Sequence, residues 1–131
     1  MPGWHESWIK DDMKDLLICS GDPMFIKNLY GALRQEGHGV DTVERTAMAV
    51  QMSLRKSYSV VILDSYAIGL PVKDAAEIIQ QSGSSVMVVG EAGAPSGVMV
   101  VKRPVDVVSI RDHVRDMCKS GAEQLRRDGG T

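Results

Sequence analysis

The segment from Val60 to Asp64 constrains the fold of this chain more than any other. Four apolar residues in a row, rich in β-branched side chains, end in an aspartate, and Pro71 follows seven residues later. A short, continuous apolar run of this kind is typical of a strand that is buried on both faces, as in a parallel sheet. A carboxylate directly after such a strand is expected at the carboxyl edge of the sheet, where α/β proteins place their binding sites.

Length and composition indicate one soluble globular domain. A chain of 131 residues can form a single hydrophobic core, and 44% hydrophobic with 24% charged residues is ordinary for such a domain. The formal net charge of −2 provides no basic surface for nucleic acid. No apolar stretch approaches the ~20 residues of a membrane span, and there is no signal-peptide pattern, so we expect no membrane association and a cytoplasmic location.

Strand and helix patterns alternate along the chain from about residue 16 to residue 120. Asp22 followed by Pro23 is a strong helix start, and Asp106 is expected to cap the last helix. The predicted strands cover residues 16–19, 40–43, 60–63, 86–89 and 98–101. The alternation predicts an α/β fold with a doubly wound, five-stranded parallel sheet in the order 2-1-3-4-5. We expect an N-terminal extension over residues 1–14, the folded domain over residues 15–120, and a fraying C-terminal tail over residues 121–131.

The link between the last two predicted strands is unusual. Residues 90–97 contain three glycines and a proline, a composition that does not form a helix. Eight extended residues can just return along a short strand, so a parallel fifth strand with a helix-free crossover is possible. An antiparallel hairpin is the alternative, because parallel crossovers are normally longer. In either arrangement the helix between the fourth and fifth strands is expected to be missing.

Four motifs in the same order resemble those of response-regulator receiver domains, which are CheY-like and have a flavodoxin-like fold. They are Leu-Ile-Cys-Ser-Gly-Asp-Pro at residues 17–23, Arg-Gln-Glu-Gly-His-Gly-Val at residues 34–40, Val-Val-Ile-Leu-Asp at residues 60–64, and Lys-Arg-Pro-Val-Asp at residues 102–106. The resemblance covers residues 15–117. It implies that Asp64 is the phospho-acceptor position and that the carbonyl of Tyr66 is a backbone ligand to Mg²⁺.

Most residues that would surround the acceptor in that family are replaced here. The family's acidic pair falls on Ser20 and Gly21, and its hydroxyl residue falls on Gly90. The lysine before the proline is Arg103, with Lys102 one residue early, and the aromatic residue two positions before the lysine is Val101. A receiver-like domain with these replacements is an atypical, or pseudo-receiver, member.

The replacements argue against a metal site. Mg²⁺ requires oxygen ligands in near-octahedral geometry, and removal of two carboxylates removes most of the attraction for it. Asp22 and Asp64 are the remaining weak candidates, and capping of the first helix explains Asp22 without a metal. We therefore expect no cofactor, with Asp64 paired to Lys102 or Arg103.

Three functions are compatible with these residues. The first is a pseudo-receiver that acts as a protein-interaction module in two-component-type signal transduction (a phosphorelay pathway), bound to a signalling protein and without enzymatic activity. The second is a divergent working response regulator, phosphorylated on Asp64 by a histidine kinase with Mg²⁺. The third is a flavodoxin-like binding or catalytic domain, for which residues 90–97 are the only candidate phosphate loop.

Several other residues carry weaker expectations. Cys19 and Cys118 are expected to be reduced thiols, and His38 and His113 to be exposed to solvent. The face left by the missing helix would expose apolar residues, so we expect a homodimer, the loop itself or the N-terminal segment to cover it. That segment holds both tryptophans, at positions 4 and 8, and is a mobile terminus, a docked segment or a partner-binding helix.

Overall fold

The computed structural model describes residues 15–90 and 93–129, with side chains described as far as residue 119. Five strands and four helices alternate along most of this chain. The strands are β1 (Asp15–Cys19), β2 (Gly39–Val43), β3 (Val60–Asp64), β4 (Ser85–Val89) and β5 (Met99–Val101). The helices are α1 (Pro23–Gln35), α2 (Thr46–Arg55), α3 (Val72–Gln81) and α4 (Val107–Gly129).

The strands form one parallel sheet in the order β2-β1-β3-β4-β5, as the alternation predicts. β5 pairs with β4 in parallel, from Met87 opposite Met99 to Val89 opposite Val101, so the hairpin alternative is wrong. The described part of the link, residues 93–98, contains no helix. Gln80 of α3 donates to the carbonyl of Ser96 at 3.1 Å and holds this link against the domain.

Each face of the sheet carries its own core. Leu17, Cys19, Val61 and Leu63 point to the face covered by α2 and α3, whereas the alternate strand residues point to the face covered by α1 and α4. All five residues of β3 are buried, because β3 is central and both of its faces are covered. Full burial of one such aliphatic side chain stabilises the fold by about 1.5–3 kcal/mol.

The ends of two helices agree with the capping signals. Asp22 accepts hydrogen bonds from the backbone of Met24 and Phe25 at the start of α1. Asp106 accepts one from Val108 at 3.1 Å at the start of α4. Helix α4 continues past the predicted domain end at residue 120 to Gly129.

The loop itself covers part of the face left by the missing helix, because Ala94 and Val98 pack on the core beside α3. Two other expectations need correction. His38 is buried, since Gly37 with φ of 93° turns the chain back toward β2 and carries the imidazole inward. His113 is half-buried on α4.

The expectations for the cysteines are confirmed. Cys19 is a buried strand residue and Cys118 a half-buried helix residue, and both are free thiols. They pack on opposite faces of the sheet, which rules out a disulfide in this fold. None of the helices in the described residues is long and apolar enough to cross a membrane.

Candidate functional site

The carboxyl edge of the sheet gathers the sequence-predicted residues around Asp64. Asp64 ends the central strand β3 and is fully buried. Ser20 follows β1, Gly90 follows β4, and Arg103 lies two residues beyond β5. Because all of these strands are parallel, their last residues meet at one edge of the sheet.

Ser20 links Asp64 to the start of α1. Its buried hydroxyl donates to Asp64 Oδ2 at 2.5 Å and accepts a hydrogen bond from the backbone N–H of Asp22 at 3.0 Å. The Asp22 carboxylate turns the other way, accepting from the N–H groups of Met24 at 3.1 Å and Phe25 at 3.3 Å. Asp22 therefore caps the helix and is not directed at Asp64.

Arg103 supplies the positive charge of the site. Its Nη2 donates to Asp64 Oδ1 in a salt bridge whose acid is fully buried and whose arginine side chain is 25% exposed. The guanidinium also lies over the ring of Tyr66, 4.2 Å from the centroid, and 5.9 Å from that of Phe25. Stacking on aromatic faces is a property of arginine that lysine shares poorly. Lys102 is exposed, so Arg103 is the basic residue that pairs with Asp64.

Gly21 closes the place where a second acid of the family would stand. A Cβ atom on Gly21 would overlap the carbonyl oxygen of Tyr66, the backbone group that the resemblance assigns to Mg²⁺. The Tyr66 carbonyl is thus packed against the backbone of Gly21. A carboxylate at position 21 cannot be accommodated unless one of the two loops moves.

Ser65 is the site residue that the sequence did not identify. Gly90 has a φ of 105°, and a Cβ on it would overlap the Ser65 hydroxyl. The side chain of Ser65 therefore occupies the space next to position 90, where receiver domains carry their hydroxyl residue. The available signal was a hydroxyl directly after Asp64 combined with a glycine after β4, which is meaningful only once β3 and β4 are known to be adjacent.

The residues present do not fit a Mg²⁺ ion. Within the described part of the chain, Asp64 contributes the only carboxylate directed into the site, and its two oxygens accept hydrogen bonds from Ser20 and Arg103. Among the described residues, no group of three or more His, Cys, Asp or Glu side chains could hold a metal. A guanidinium beside the Asp64 carboxylate also repels a divalent cation.

Cys19 is the last residue of β1 and lies close to Asp64, with its side chain in the core on the face covered by α2 and α3. Burial raises the pKa of the Cys19 thiol to about 12, and the nearby Asp64 carboxylate adds to the shift. A thiol with such a pKa is protonated at neutral pH, and the thiolate is the reactive form. Cys19 is accordingly an unreactive core residue.

No protein-family model matches the sequence, and no curated protein matches it. Solved structures do match. The signal receiver domain of a putative LuxO repressor protein from Vibrio parahaemolyticus has a TM-score of 0.73 and 18% identity, over 86% of this chain and 96% of that one. The receiver domain of a sensor histidine kinase from Pseudomonas aeruginosa PAO1, with a magnesium ion in its active-site cleft, has a TM-score of 0.69 and 15% identity, over 82% and 98%.

A third match comes from a different functional class. It is described as belonging to a family of redox sensors in the streptococci that evolved from two-component response regulators. The TM-score is 0.74 at 19% identity, over 88% of this chain and 55% of that one. These matches show that this chain has the fold of the CheY-like response-regulator receiver domains.

Proposed function

We propose that this chain is an atypical receiver-like domain that serves as a protein-interaction module in two-component-type signal transduction, without Mg²⁺-dependent phosphorylation of Asp64. The observation that carries the proposal is the buried salt bridge between Asp64 and Arg103. The fold supports a role in this kind of signalling, and the occupied carboxylate argues against the usual chemistry.

Phosphoryl transfer to an aspartate needs a free carboxylate oxygen and a metal that neutralises the developing charge on the phosphoryl group. Here Arg103 and Ser20 each occupy one oxygen of Asp64. To react in the usual way, with one oxygen attacking and the other on the metal, Asp64 would first have to lose both partners while it remains buried. An unpaired buried carboxylate is strongly unfavourable, so the resting arrangement opposes the reaction.

The switch that follows phosphorylation also lacks its parts. The resemblance implies that, in receiver domains, a hydroxyl residue after the fourth strand and an aromatic residue on the fifth strand respond to phosphorylation. The corresponding residues are Gly90 and Val101, whose side chains have no hydrogen-bond donor for a phosphoryl oxygen. A ligand without differential contacts in two states cannot shift their equilibrium, so we infer that output depends on binding alone.

The proposed mode of action is therefore recognition of another signalling protein, with no catalysis and no cofactor. A homodimer is a second form of the same proposal, since the chain could recognise its own copy. The redox-sensor match is a precedent for a receiver fold with a different input, but Cys19 does not support that input here.

The proposal is tested by amide shifts of the labelled chain, titrated first with Mg²⁺ and then with Mg²⁺ plus beryllofluoride, a mimic of aspartyl phosphate. We expect no saturable shifts at Ser20–Asp22, Asp64–Tyr66 or Gly90. Asp64→Asn is the matched control, because it removes the acceptor charge and keeps the size of the side chain. Saturable shifts in the wild type that disappear in Asp64→Asn would overturn the proposal in favour of a working response regulator phosphorylated by a histidine kinase.

A second measurement addresses the signalling role. Asp64→Asn introduced into the host should leave the output of the pathway unchanged if the domain acts by binding alone. Protein abundance should be followed in parallel, because loss of the salt bridge can lower stability. Loss of output at unchanged abundance would contradict a phosphorylation-independent role.

A further inference from the structure

Helices α2 and α3 pack side by side on the same face of the sheet. Because both connect strands of one parallel sheet, they run in the same direction. They also begin at about the same level, since the hydroxyl of Thr46 at the start of α2 donates to the carbonyl of Leu70, just before α3, at 2.9 Å. The two helices therefore form one surface with a seam along its middle.

The flanks of the two helices identify the residues that border this seam. Met48 lines a groove between α2 and the start of α1, so Leu54, about 120° away around the helix, is on the flank toward α3. On α3, Gln80 donates to the carbonyl of Ser96 in the link before β5 at 3.1 Å. Ile78 is about 160° away from Gln80 and is therefore on the flank toward α2. Leu54 and Ile78 border the seam from opposite sides.

Large apolar side chains are exposed along the seam. Leu54 is 65% exposed and Ile78 is 40% exposed. Leu70, at the end of the seam where the helices begin, is 42% exposed. A single exposed apolar residue is ordinary, whereas several along one seam form a stripe of the kind that marks a protein-interaction site.

The outer surfaces of the two helices carry opposite charges. Helix α2 contains no acidic residue, and Arg55 is exposed at its end. Helix α3 exposes Asp74 and Glu77, which are about one turn apart on the same side. Lys73 lies away from them, toward the link before β5, where its Cδ would be 3.4 Å from a Cβ on Gly93. In the part of the chain that the structure describes, no salt bridge involves Arg55, Asp74 or Glu77.

A surface with a basic half and an acidic half is complementary to its own copy. If two copies meet with a two-fold axis along the seam, α2 of each lies on α3 of the other, and the two apolar stripes meet at the axis. Arg55 of one copy then lies about 6 Å along the helix axis from the level of Glu77 in the second copy, a distance that the long arginine side chain covers. The same contact supplies a cation to the neighbouring like charges of α3.

We propose that the seam between α2 and α3 is a homodimer surface, in which the apolar stripe packs on its own copy and Arg55 pairs with the acidic side of α3. Each copy contributes two helices of 10 residues, a small surface, so the dimer is reversible and depends on concentration. The proposal rests on the homodimer form of the proposed function and assigns a surface to it. The two can fail separately, because the beryllofluoride titration reports on Asp64 and the oligomeric state reports on the seam.

Sedimentation velocity over a series of protein concentrations is the first test. We expect the wild type to shift from monomer to dimer as the concentration rises. Leu54→Glu should weaken the dimer at least about tenfold, because it places a charge in the apolar centre of the contact. Val108→Glu is the matched control, since Val108 is 47% exposed on α4, which covers the other face of the sheet. It should leave the dimer unchanged.

An exchange of charges tests whether α2 lies on α3 of the second copy. Arg55→Glu and Glu77→Arg should each weaken self-association several-fold, because like charges then meet in both halves of the contact. A mixture of the two variants should associate as the wild type does, since every altered residue then faces an opposite charge. Far-UV circular dichroism checks that each variant is folded, and the exposed charge variants keep the test available if Leu54→Glu does not fold.

Three results would overturn the proposal. The first is a wild type that remains monomeric throughout the concentration series. The second is a dimer that Leu54→Glu leaves intact in a folded protein, which would place the contact on another face. The third is a mixture of the two charge variants that associates no better than either variant alone. If the chain is monomeric and Leu54→Glu abolishes its capture of a different protein, that protein occupies the seam and the homodimer proposal is wrong.

Discussion

Two groups of three side chains, one at the carboxyl edge of the sheet and one at the amino edge, have the same chemistry. In each of these trios a carboxylate accepts a hydrogen bond from a hydroxyl group and forms a salt bridge with a cation. The trios are Asp64, Ser20 and Arg103 at the carboxyl edge, and Asp41, Tyr58 and Lys56 at the amino edge. In each trio the cation also lies over an aromatic ring, at 4.2 Å for Arg103 and 5.2 Å for Lys56.

Burial separates the two trios. The Asp64 side chain is fully buried, whereas that of Asp41 is 40% exposed. Arg103 is 25% exposed and Lys56 is 47% exposed. Water solvates the amino-edge trio whenever a partner leaves, but Asp64 has no such substitute. The same groups are thus a replaceable surface feature at one edge and a fixed arrangement at the other.

The largest expected effect breaks the buried pair. Arg103→Met should lower the free energy of unfolding by about 3 kcal/mol, the lower end of the range for a broken buried pair, because Arg103 keeps some contact with water. Urea unfolding of the variant and the wild type measures the loss. The double variant Arg103→Met, Asp64→Asn should regain most of it, since no buried charge is left. A loss below about 1 kcal/mol would mean that Asp64 is solvated like a surface acid.

The second expected effect concerns the contact of Gly90 with Ser65. Gly90→Ala should cost about 1–3 kcal/mol, because φ of 105° is strained for alanine and the new methyl overlaps the Ser65 hydroxyl. Ser65→Gly in the same background should relieve only the overlap. Gly31→Ala, in the exposed middle of α1 with open space around it, should instead stabilise by about 0.5–1 kcal/mol. Equal effects at Gly90 and Gly31 would contradict the close packing of the two loops.

A smaller effect is expected at the amino edge. Lys56→Met removes a cation 3.2 Å from Asp41 and 3.9 Å from Asp15, and the free energy of unfolding should fall by about 1 kcal/mol at most. The loss should shrink further in high salt, which screens exposed charges. Urea unfolding at low and high ionic strength measures both. A loss as large as that of Arg103→Met would remove the distinction between the trios.

The smallest effect is a pH dependence at the same edge. The hydrogen bond from Tyr58 lowers the pKa of Asp41 below its ordinary value of 3.8, and Lys56 adds to the shift. The lowered pKa contributes stability above the ordinary value, and this is lost as the pH falls through the folded pKa. Tyr58→Phe should therefore lower the free energy of unfolding at neutral pH. The free energy of unfolding of this variant should also fall less steeply than that of the wild type as the pH drops. Parallel curves would show that Tyr58 does not influence Asp41.

Much of the fold follows from local patterns. The apolar run before Asp64 predicts a strand buried on both faces, and all five residues of β3 are buried. Asp22 with Pro23 predicts the start of α1, where capping is a contact over two or three residues. The glycine-rich link after β4 predicts a missing helix because its composition opposes one. These features depend on neighbours in sequence, which is why they can be read from it.

Other features depend on contacts between distant segments. His38 lies between glycines, which suggests an exposed turn, but the turn at Gly37 carries it into the interior. The direction of β5 stayed open because an eight-residue link allows both arrangements, and pairing with β4 decides it. Ser65 is an ordinary hydroxyl in the sequence, and its role follows from the adjacency of β3 and β4.

The sequence by itself predicted the order of the strands and the place of Asp64, because alternating patterns and short links leave few other arrangements for a chain of this length. The resemblance to receiver domains also indicated which of their site residues are replaced here. Only the tertiary structure decided which cation pairs with Asp64, because Lys102 and Arg103 are adjacent in sequence and only the side chain of Arg103 is directed into the site. The tertiary structure also showed that the Tyr66 carbonyl occupies the space beside Gly21 and that Ser65 occupies the space beside Gly90. Such close packing joins segments that are distant in sequence, so the sequence alone does not reveal it.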